Sequence, residues 1–488
     1  MLFNSYAYIL LFLPCVAGVY FWLNRRRLTT AGRTWLLAAS LFFYGYWNPA
    51  YLPLLLASIG VNFLLGTILG QRPSSAAGPS PRAVLAAGIL FNLGLLGYFK
   101  YANFLVENIN AASGLGLASP DILLPIGISF FTFQQIAFLV DSYRREVREY
   151  DLLNYGLFVS FFPQLIAGPI VHHRTMMPQF SALRSKLPNA RNIYEGLALF
   201  SVGLAKKAFI ADTFAVWANA GFAADTPHLA DAWIASLSYT FQLYFDFSGY
   251  MDMALGAALI LNIRLPINFD SPYKSLSIQD FWRRWHITLG RFLFDYLYVP
   301  LGGNRRGTAR SLANLLVVFL VGGLWHGAAW TFVAWGALHG LGMVVHALWK
   351  KAGLSLPRPA AWATTFLFVN AAWVLFRADS FERALGVLRG MIGLNGVVLH
   401  EKMRTLLGGL DVQGISCGAW KVGESNGTLF FGVYLLLFGV IGCLWLKPAH
   451  RVLAEGAPSL WKDGWAAASF AAGFLSLTKI TQFLYFQF

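Results

Sequence analysis

The chain has 488 residues, of which 57% are hydrophobic, 16% aromatic and only 12% charged. Soluble domains carry about 25% charged residues, so this composition excludes an ordinary soluble protein and indicates a polytopic membrane protein. The formal net charge of +15 does not indicate nucleic acid binding, because the basic residues cluster in connectors between apolar segments.

Apolar segments long enough to cross a bilayer recur along the whole chain. About 20 residues span the hydrocarbon core as a helix, and continuous apolar runs favour helices over the alternating strands of a β-barrel. Some segments are short or interrupted by Gly and Pro, so we expect roughly 9 to 13 membrane elements. The candidate spans are Tyr6–Leu23, Trp35–Trp47, Tyr51–Leu69, Ala83–Val106, Leu123–Val140, Leu152–Val171, Ile193–Phe222, Trp233–Leu261, Ser311–Leu348, Trp362–Phe376, Leu429–Leu446 and Trp465–Leu477.

Connectors rich in arginine alternate with connectors that lack lysine and arginine. Arg25–Arg27 and Arg144–Arg145 belong to the first kind, and Asn48–Ala50 and Glu107–Asp121 belong to the second. By the positive-inside rule, the arginine-rich connectors face the cytoplasm and the N-terminus lies on the opposite side. The first apolar segment does not resemble a cleavable signal, because its positive charges follow the apolar run.

A single helical membrane domain covering residues 1–488 is the simplest organisation, because the sequence shows no internal repeat. Its functional core is expected at residues 120–350, and residues 396–428 form a variable polar connector. The three cysteines are widely scattered, so their spacing indicates neither a disulfide framework nor a thiol metal site.

Residues 275–310 differ in sequence pattern from the apolar segments, because aromatic and charged side chains alternate there. This mixture is typical of interfacial or re-entrant helices that line a cavity. Phe281–His286 carries two arginines and a histidine among aromatic residues. Pro300–Gly307 is a glycine-rich turn with two arginines, which could bind phosphates or could simply be a cytoplasmic connector.

The next apolar stretch, Ser311–Trp349, is too long for one straight transmembrane helix. Its 39 residues would extend about 58 Å, almost twice the thickness of the hydrocarbon core. We expect a break at Gly322-Gly323 and Gly327, the obvious points of weakness. This break places His326 at a helix discontinuity, where backbone groups are available for ligand contacts.

Polar side chains at membrane depth are costly and usually carry function, which singles out two histidines and two carboxylates. His326 is the leading candidate for a general base, since an imidazole with a pKa of about 6.5 suits proton removal from a hydroxyl; the alternative is a structural histidine. His286 could orient substrate or stabilise an oxyanion, or could anchor an interfacial helix. Asp246 and Asp252 could bind substrate, but structural pairing is the favoured interpretation.

The remaining histidines do not indicate a metal site. His339 and His346 lie about 10.5 Å apart along a helix, too far to share one ion. His400-Glu401 begins a zinc-protease pattern, but position 404 is Arg where a second His is required. We therefore expect no metal and no bound cofactor.

Several stretches resemble the membrane-bound O-acyltransferase family, in the bacterial branch that contains the alginate O-acetyltransferase membrane subunit and the D-alanyl transferase of teichoic acid modification. They run nearly end to end and in order, which makes the resemblance specific to the family but less specific to the acceptor. The similar stretches are Leu124–Gln134, Ala167–Ile170, Tyr244–Asp252, Phe281–Leu289, Pro300–Gly307, Gly323–Ala328, Trp373–Ala378 and Tyr485–Phe488.

The resemblance implies a ring of tilted and re-entrant helices around a funnel that crosses a bacterial inner membrane, with the N-terminus in the periplasm. It implies acetyl transfer from cytoplasmic acetyl-CoA to an alginate-like or other secreted polysaccharide, directly or through a periplasmic, SGNH-hydrolase-like acetyltransferase partner. His326 matches the family's catalytic histidine, and His286 matches the second histidine of its motif pair. The residues expected to bind substrate or coenzyme A are Trp325, Arg283, Arg284, Asn304, Arg305 and Arg306.

Two alternatives remain open at this point. One is D-alanyl transfer from a carrier protein to teichoic acid, which the same branch of the family includes. The other is a transporter that exports acyl groups or polymer without bond cleavage, because broken helices and polar residues near the bilayer midplane also occur in transporters.

Overall fold

The computed structural model describes residues 1–71, 78–120, 122–147, 149–400, 415–418, 429–455, 459–478 and 483–484. These residues are largely helical, which confirms the expected all-α class. A short parallel pair of strands, β1 (Val397–His400) and β2 (Ile415–Gly418), is the exception. The pair falls within the predicted polar connector, whose other residues from 401 to 428 lie outside the described residues, as does the motif Tyr485–Phe488.

Side chains cap the starts of three of the ten helices described in the first half of the chain. The helices are α1 (Leu13–Arg25), α2 (Thr29–Gly45), α3 (Leu52–Gln71), α4 (Pro81–Leu96), α5 (Ala102–Ser113), α6 (Ile128–Tyr143), α7 (Leu152–Ser160), α8 (His173–Ser181), α9 (Ala190–Leu204) and α10 (Asp212–Ala223). The carboxylate of Asp151, for example, accepts hydrogen bonds from the first free N–H groups of α7. The π-helical segments Gly97–Tyr101 and Ala205–Ala211 join α4 to α5 and α9 to α10.

The second half of the chain is built around one long buried helix. Its helices are α11 (Leu229–Ile260), α12 (Ile278–Arg284), α13 (Ile287–Leu293), α14 (Gly307–His326), α15 (Trp330–Lys351), α16 (Arg358–Arg377), α17 (Phe381–Met391), α18 (Leu429–Leu444), α19 (Ala449–Ala454) and α20 (Leu460–Leu475). Most side chains of α11 are buried, and this helix packs along α9 and α10. The π-helical segment Phe294–Tyr298 continues α13.

Within the described ranges, six helical stretches are long and apolar enough to cross a membrane, as expected for a multi-pass membrane protein. Other predicted spans contain helices that do not meet this standard of length and composition. Helix α11, for instance, is long enough but does not meet the standard of composition, and most of its side chains are buried inside the protein. The six stretches are Ala7–Arg25, Pro49–Gln71, Pro81–Ser113, Gly307–His326, Trp330–Lys351 and Arg358–Arg377.

The predicted span Leu152–Val171 is wrong as a continuous helix. Helix α7 ends at Ser160, and the chain then turns through buried, non-helical residues as far as Val171. Pro163 and Pro169 have no backbone N–H and cannot continue a helix. The freed backbone groups find local partners, because Gly168 donates to the carbonyl of Gln164 at 2.9 Å.

The predicted break in Ser311–Trp349 is confirmed at Gly327, whereas Gly322 and Gly323, the other expected break points, lie inside helix α14. Helix α14 ends at His326 and α15 begins at Trp330, so the two helices form an antiparallel pair. Glycines allow them to approach closely: a Cβ added at Gly323 would collide with the carbonyl oxygen of Phe332, and one at Gly336 would collide with that of Phe319.

The two carboxylates of the Tyr244–Asp252 motif form ion pairs with consecutive lysines. Asp246 lies 2.7 Å from the ammonium of Lys207, and Asp252 lies 2.6 Å from that of Lys206. Asp246 also accepts a hydrogen bond from the backbone N–H of Leu484 at 3.1 Å. These pairs tie α11 to the segment between α9 and α10 and fit the structural role that the sequence favoured.

Candidate active site

A cavity of about 1000 Å³ runs along α14. Its walls include residues from the start of this helix, at Gly307 and Thr308, to its last residue, His326. At 1.5 Å per residue, these ends are about 28 Å apart. Gly307 and Thr308 are exposed, whereas His326 is only 4% exposed. The cavity therefore leads from a solvent-accessible mouth to a buried imidazole.

Aromatic rings surround His326. The centroid of its ring lies 5.2 Å from that of Trp335, 5.3 Å from Phe376 and 4.9 Å from Trp325, each in an edge-to-face arrangement. Such a site excludes bulk water, which strengthens electrostatic effects on a reacting group. The imidazole of His286 is one ionisable neighbour, with its ring centroid 6.3 Å from that of His326.

His286 lies at a sharp turn between α12 and α13. Its backbone has a φ of 45° and a ψ of 51°, a left-handed conformation that is uncommon for a residue other than glycine. The turn directs the side chain of His286 into the core, and only 1% of this residue is exposed. Unusual backbone conformations of this kind often occur at functional sites.

The carboxamide of Asn268 determines which ring nitrogen of neutral His286 carries the hydrogen. Its Oδ1 accepts hydrogen bonds from the backbone N–H and the hydroxyl of Thr288, both at 3.0 Å, so this atom is an acceptor. It also lies 3.3 Å from Nδ1 of His286, and Nδ1 must then carry the hydrogen. In neutral His286, Nε2 is therefore a hydrogen-bond acceptor. The oxyanion role expected for His286 would require the protonated ring.

The family motif at Ala167–Ile170 connects to the same group of residues. The backbone N–H of Ile170 donates to the hydroxyl of Thr288 at 3.0 Å, and that hydroxyl donates to Asn268. The motif beginning at Leu124 contacts the residue before the other histidine, because the indole N–H of Trp325 donates to the carbonyl of Ser129 at 3.4 Å. Distant parts of the sequence thus converge on the two histidines.

Trp325 packs beside the site rather than forming the cavity wall. Its ring stacks on Phe133, with centroids 5.2 Å apart and an interplanar angle of 18°, and meets Phe130 edge to face at 5.4 Å. Since only 4% of Trp325 is exposed, its contacts hold the end of α14 in place. The sequence predicted a substrate contact for this residue, and that role remains a prediction.

The mouth of the cavity carries more positive than negative charge. Arg283, Arg291 and Lys350 line it, together with the carboxylate of Asp295. Arg283 therefore lines the cavity, and its predicted contact with substrate stays a prediction. Arg284 is not on this wall: its guanidinium forms an ion pair with Asp280 at 2.8 Å.

The glycine-rich turn Pro300–Gly307 borders the cavity through Asn304. The carboxamide oxygen of Asn304 accepts hydrogen bonds from the hydroxyls of Tyr298 and Ser311, at 2.5 and 2.9 Å, so the turn is held against α14. Arg305 and Arg306 are exposed on this turn, next to the mouth rather than inside the cavity. Their predicted contact with phosphates stays a prediction.

Sequence reasoning missed three residues of this site, Arg291, Lys350 and Asn268. Arg291 lies in the aromatic and basic region that was singled out, so its charge was a usable signal. Asn268 is an ordinary polar residue in an irregular segment, and nothing in a single sequence distinguishes it. Among the residues that the structure describes, no three His, Cys, Asp or Glu side chains are grouped to hold a metal ion.

A multi-pass helical protein with one buried histidine at the end of a cavity and a second histidine beside it has the features of a membrane acyltransferase. The family comparison agrees: residues 90–376 match the model of MBOAT, the membrane-bound O-acyltransferase family. The match covers more than half of the chain, so the chain belongs to this family and is an O-acyltransferase. The resemblance inferred from the sequence motifs is confirmed.

Named relatives cover most of the chain. It is 48% identical over 430 residues to the peptidoglycan O-acetyltransferase of Helicobacter pylori, across 82% of this chain and 81% of the relative. It is 41% identical over 422 residues to the "Probable alginate O-acetylase AlgI" of Pseudomonas aeruginosa, across 84% and 79%. A teichoic acid D-alanyltransferase of Streptococcus thermophilus is 28% identical over 257 residues, across 47% and 61%.

Proposed function

We propose that this protein transfers an acetyl group from acetyl-CoA to a hydroxyl group on the way to O-acetylation of a cell-envelope or secreted polysaccharide. The observation that carries the proposal is the cavity that leads from a basic mouth to His326. A donor bound in it would bring its thioester to a sheltered imidazole, with the second histidine of the motif pair close by.

The charges at the mouth support coenzyme A as the donor. Its phosphates would meet Arg283, Arg291 and Lys350, and guanidinium groups bind phosphate through paired, charge-assisted hydrogen bonds. The acetyl group is supported by the relatives named as O-acetyltransferase or O-acetylase, which are 40–48% identical over most of the chain. The D-alanyltransferase relatives are 28% identical over about half of it, which favours acetyl over D-alanyl transfer.

We further propose that the mouth faces the cytoplasm of a bacterial inner membrane and that the N-terminus is periplasmic. The hydroxyl of Tyr296, next to the cavity residue Asp295, donates to Asp141 at 2.9 Å. Asp141 precedes the connector with Arg144 and Arg145. The mouth therefore lies on the side of an arginine-rich connector, which the positive-inside rule assigns to the cytoplasm.

The chemistry requires a base and a place for developing negative charge. His326 removes the proton from the acceptor hydroxyl as its oxygen attacks the thioester carbonyl, and a tetrahedral oxyanion forms. Collapse of this intermediate breaks the carbon–sulfur bond and leaves the acetyl ester. The imidazolium returns the proton to the departing sulfur, which leaves as the thiol of coenzyme A. Atoms and charge balance without a metal or a redox partner.

His286 contributes through the acceptor atom that Asn268 leaves on its ring. Neutral Nε2 can accept a hydrogen bond from the attacking hydroxyl or from the N–H of His326 once that ring is protonated. The first contact would orient the nucleophile, and the second would stabilise the imidazolium. Either arrangement makes His286 a positioning partner of the base rather than a donor to the oxyanion.

The acceptor is a polysaccharide hydroxyl, reached directly or through a periplasmic, SGNH-hydrolase-like partner that carries the acetyl group onward. The relatives are named for peptidoglycan and for alginate. Peptidoglycan is the first polymer to examine, because the relative named for it has the higher identity of the two, and an alginate-like polymer is the second.

Reconstitution in lipid vesicles tests the proposal. Acetyl-CoA labelled on the acetyl group is supplied on one side, and the polysaccharide, with or without the periplasmic partner, on the other. The proposal expects free coenzyme A on the donor side and labelled ester on the polymer, identified by mass spectrometry. Movement of label without thioester cleavage would instead identify a transporter.

A further inference from the structure

The last turn of α14 ends at His326 inside the protein. A helix leaves its final four carbonyl groups without partners in the helix, and burial makes such groups costly. The carbonyl of Gly323 accepts a hydrogen bond from the backbone N–H of Gly327 at 3.4 Å. The following three carbonyls, on Leu324, Trp325 and His326, need partners from elsewhere.

Two consecutive residues supply those partners. The hydroxyl of Tyr101 donates to the carbonyl of Leu324 at 2.7 Å. The ammonium of Lys100 donates to the carbonyls of Trp325, at 2.5 Å, and His326, at 3.2 Å. A third contact joins the ammonium to the hydroxyl of Ser129 at 3.3 Å. The three N–H groups of Lys100 thus meet three oxygen acceptors.

The position of Lys100 within the membrane makes these contacts notable. It lies in the apolar stretch Pro81–Ser113, where a charged side chain is costly and usually has a purpose. It also lies in the π-helical segment Gly97–Tyr101, and π-helical turns often occur at functional sites. A positive charge at the C-terminal end of α14 interacts favourably with the helix dipole.

We propose that Lys100 is a positioning residue that fixes the main chain at His326 and thereby the direction of the imidazole in the cavity, with Tyr101 holding the preceding carbonyl. This inference rests on the proposed function, in which His326 is the base. Catalytic groups must be held within about 0.5 Å of their productive position, and a displacement of about 1 Å can lower a rate about 100-fold.

The test is Lys100→Met, which keeps the length of the side chain and removes its hydrogen-bond donors. We expect kcat for acetyl transfer to fall about 10- to 100-fold, with KM for acetyl-CoA within about twofold of the wild type. Hydrogen–deuterium exchange should become faster in the peptide that covers residues 322–330. An unchanged kcat, or a higher KM with an unchanged kcat, would overturn the inference, as would a lower kcat without faster local exchange.

Two control variants separate positioning from general stability. Tyr101→Phe removes one capping hydrogen bond and should lower kcat about two- to fivefold. Lys206→Met removes another buried lysine, which pairs with Asp252 at 2.6 Å, and should lower thermal stability while the folded enzyme keeps its kcat. A fall in kcat for Lys206→Met as large as that for Lys100→Met would contradict a specific role for Lys100.

If Lys100→Met does not fold, Lys100→Gln replaces it in the test. The glutamine side chain retains N–H donors but is shorter and uncharged, so the kcat of Lys100→Gln should be lower than that of Tyr101→Phe. A wild-type kcat for Lys100→Gln would overturn the inference. Failure of the proposed function is distinguishable. If His326→Ala keeps full activity, the base assignment fails, whereas an inactive His326→Ala with a fully active Lys100 variant defeats only the positioning role.

Discussion

The hydrogen bond between Asn268 and His286 offers a sharp test of how the second histidine works. Substituting Asn268→Ala removes Oδ1, which contacts Nδ1 of His286 at 3.3 Å and accepts two hydrogen bonds from Thr288. Asn268 is only 1% exposed, so water does not readily replace these hydrogen bonds. The substitution therefore removes the contact through which Asn268 holds the hydrogen on Nδ1 of His286.

The expected destabilisation is set by the three hydrogen bonds to Oδ1 that the Asn268→Ala substitution removes, together with a weaker one from the amide to the sulfur of Met251 at 3.5 Å. A buried hydrogen bond contributes about 0.5 to 1.5 kcal/mol, so removing the three to Oδ1 should lower the free energy of unfolding by about 1.5 to 4.5 kcal/mol. Among the hydrogen bonds removed, the one with His286 is expected to affect catalysis. If it favours the reactive tautomer by about 1.4 kcal/mol, its removal lowers kcat about tenfold.

The assay compares kcat and KM of the purified variants with labelled acetyl-CoA, together with melting temperatures in detergent. Thr288→Val is the matched control, because it removes the hydroxyl that bridges Ile170 and Asn268 but leaves the hydrogen bond with His286. We expect it to lose stability while kcat stays within about threefold of the wild type. Equal kcat values for Asn268→Ala and the wild type would refute the tautomer argument.

Three further predictions follow from the same geometry. His286→Ala should lower kcat about 100-fold or more but leave measurable turnover, because His326 remains; unchanged turnover would remove His286 from the site. Arg283→Gln and Arg291→Gln should each raise KM for acetyl-CoA about three- to tenfold at low salt with kcat unchanged, and an effect that persists at high salt would argue against a charge contact. Gly323→Ala should destabilise the protein by about 1 to 3 kcal/mol in thermal unfolding, whereas Gly18→Ala, whose added Cβ meets no atom within 4 Å, should not.

The sequence was sufficient to predict the class and the central discontinuity of the fold. Composition predicts a multi-pass helical protein, and the length of Ser311–Trp349 predicts a break within this stretch, because one straight helix cannot fit the bilayer. The prediction of a transmembrane helix from a long apolar run fails where proline and glycine interrupt the run. In the expected span Leu152–Val171 the helix ends at Ser160. The sequence could not show this, because buried hydrophobic residues outside a helix have the same composition as a transmembrane segment.

The site was predicted in part, for reasons that follow from what a sequence contains. His326, His286 and Arg283 could be named because charged or ionisable groups stand out in an apolar sequence. Arg284 has the same signal as its neighbour, yet it pairs with Asp280, since direction on a short helix is decided by packing. Asn268 is 18 residues from His286, and only the folded chain brings its carboxamide to the imidazole.

The central claim is that His326 is the base that acts when the thioester is attacked. The decisive measurement is the rate of acetyl transfer by purified wild-type protein and by His326→Ala, with folding verified by equal melting temperatures. We predict that the rate falls about 1000-fold or more in the variant, with acetyl-CoA still bound. A variant rate within a few-fold of the wild type would contradict the assignment and the mechanism built on it.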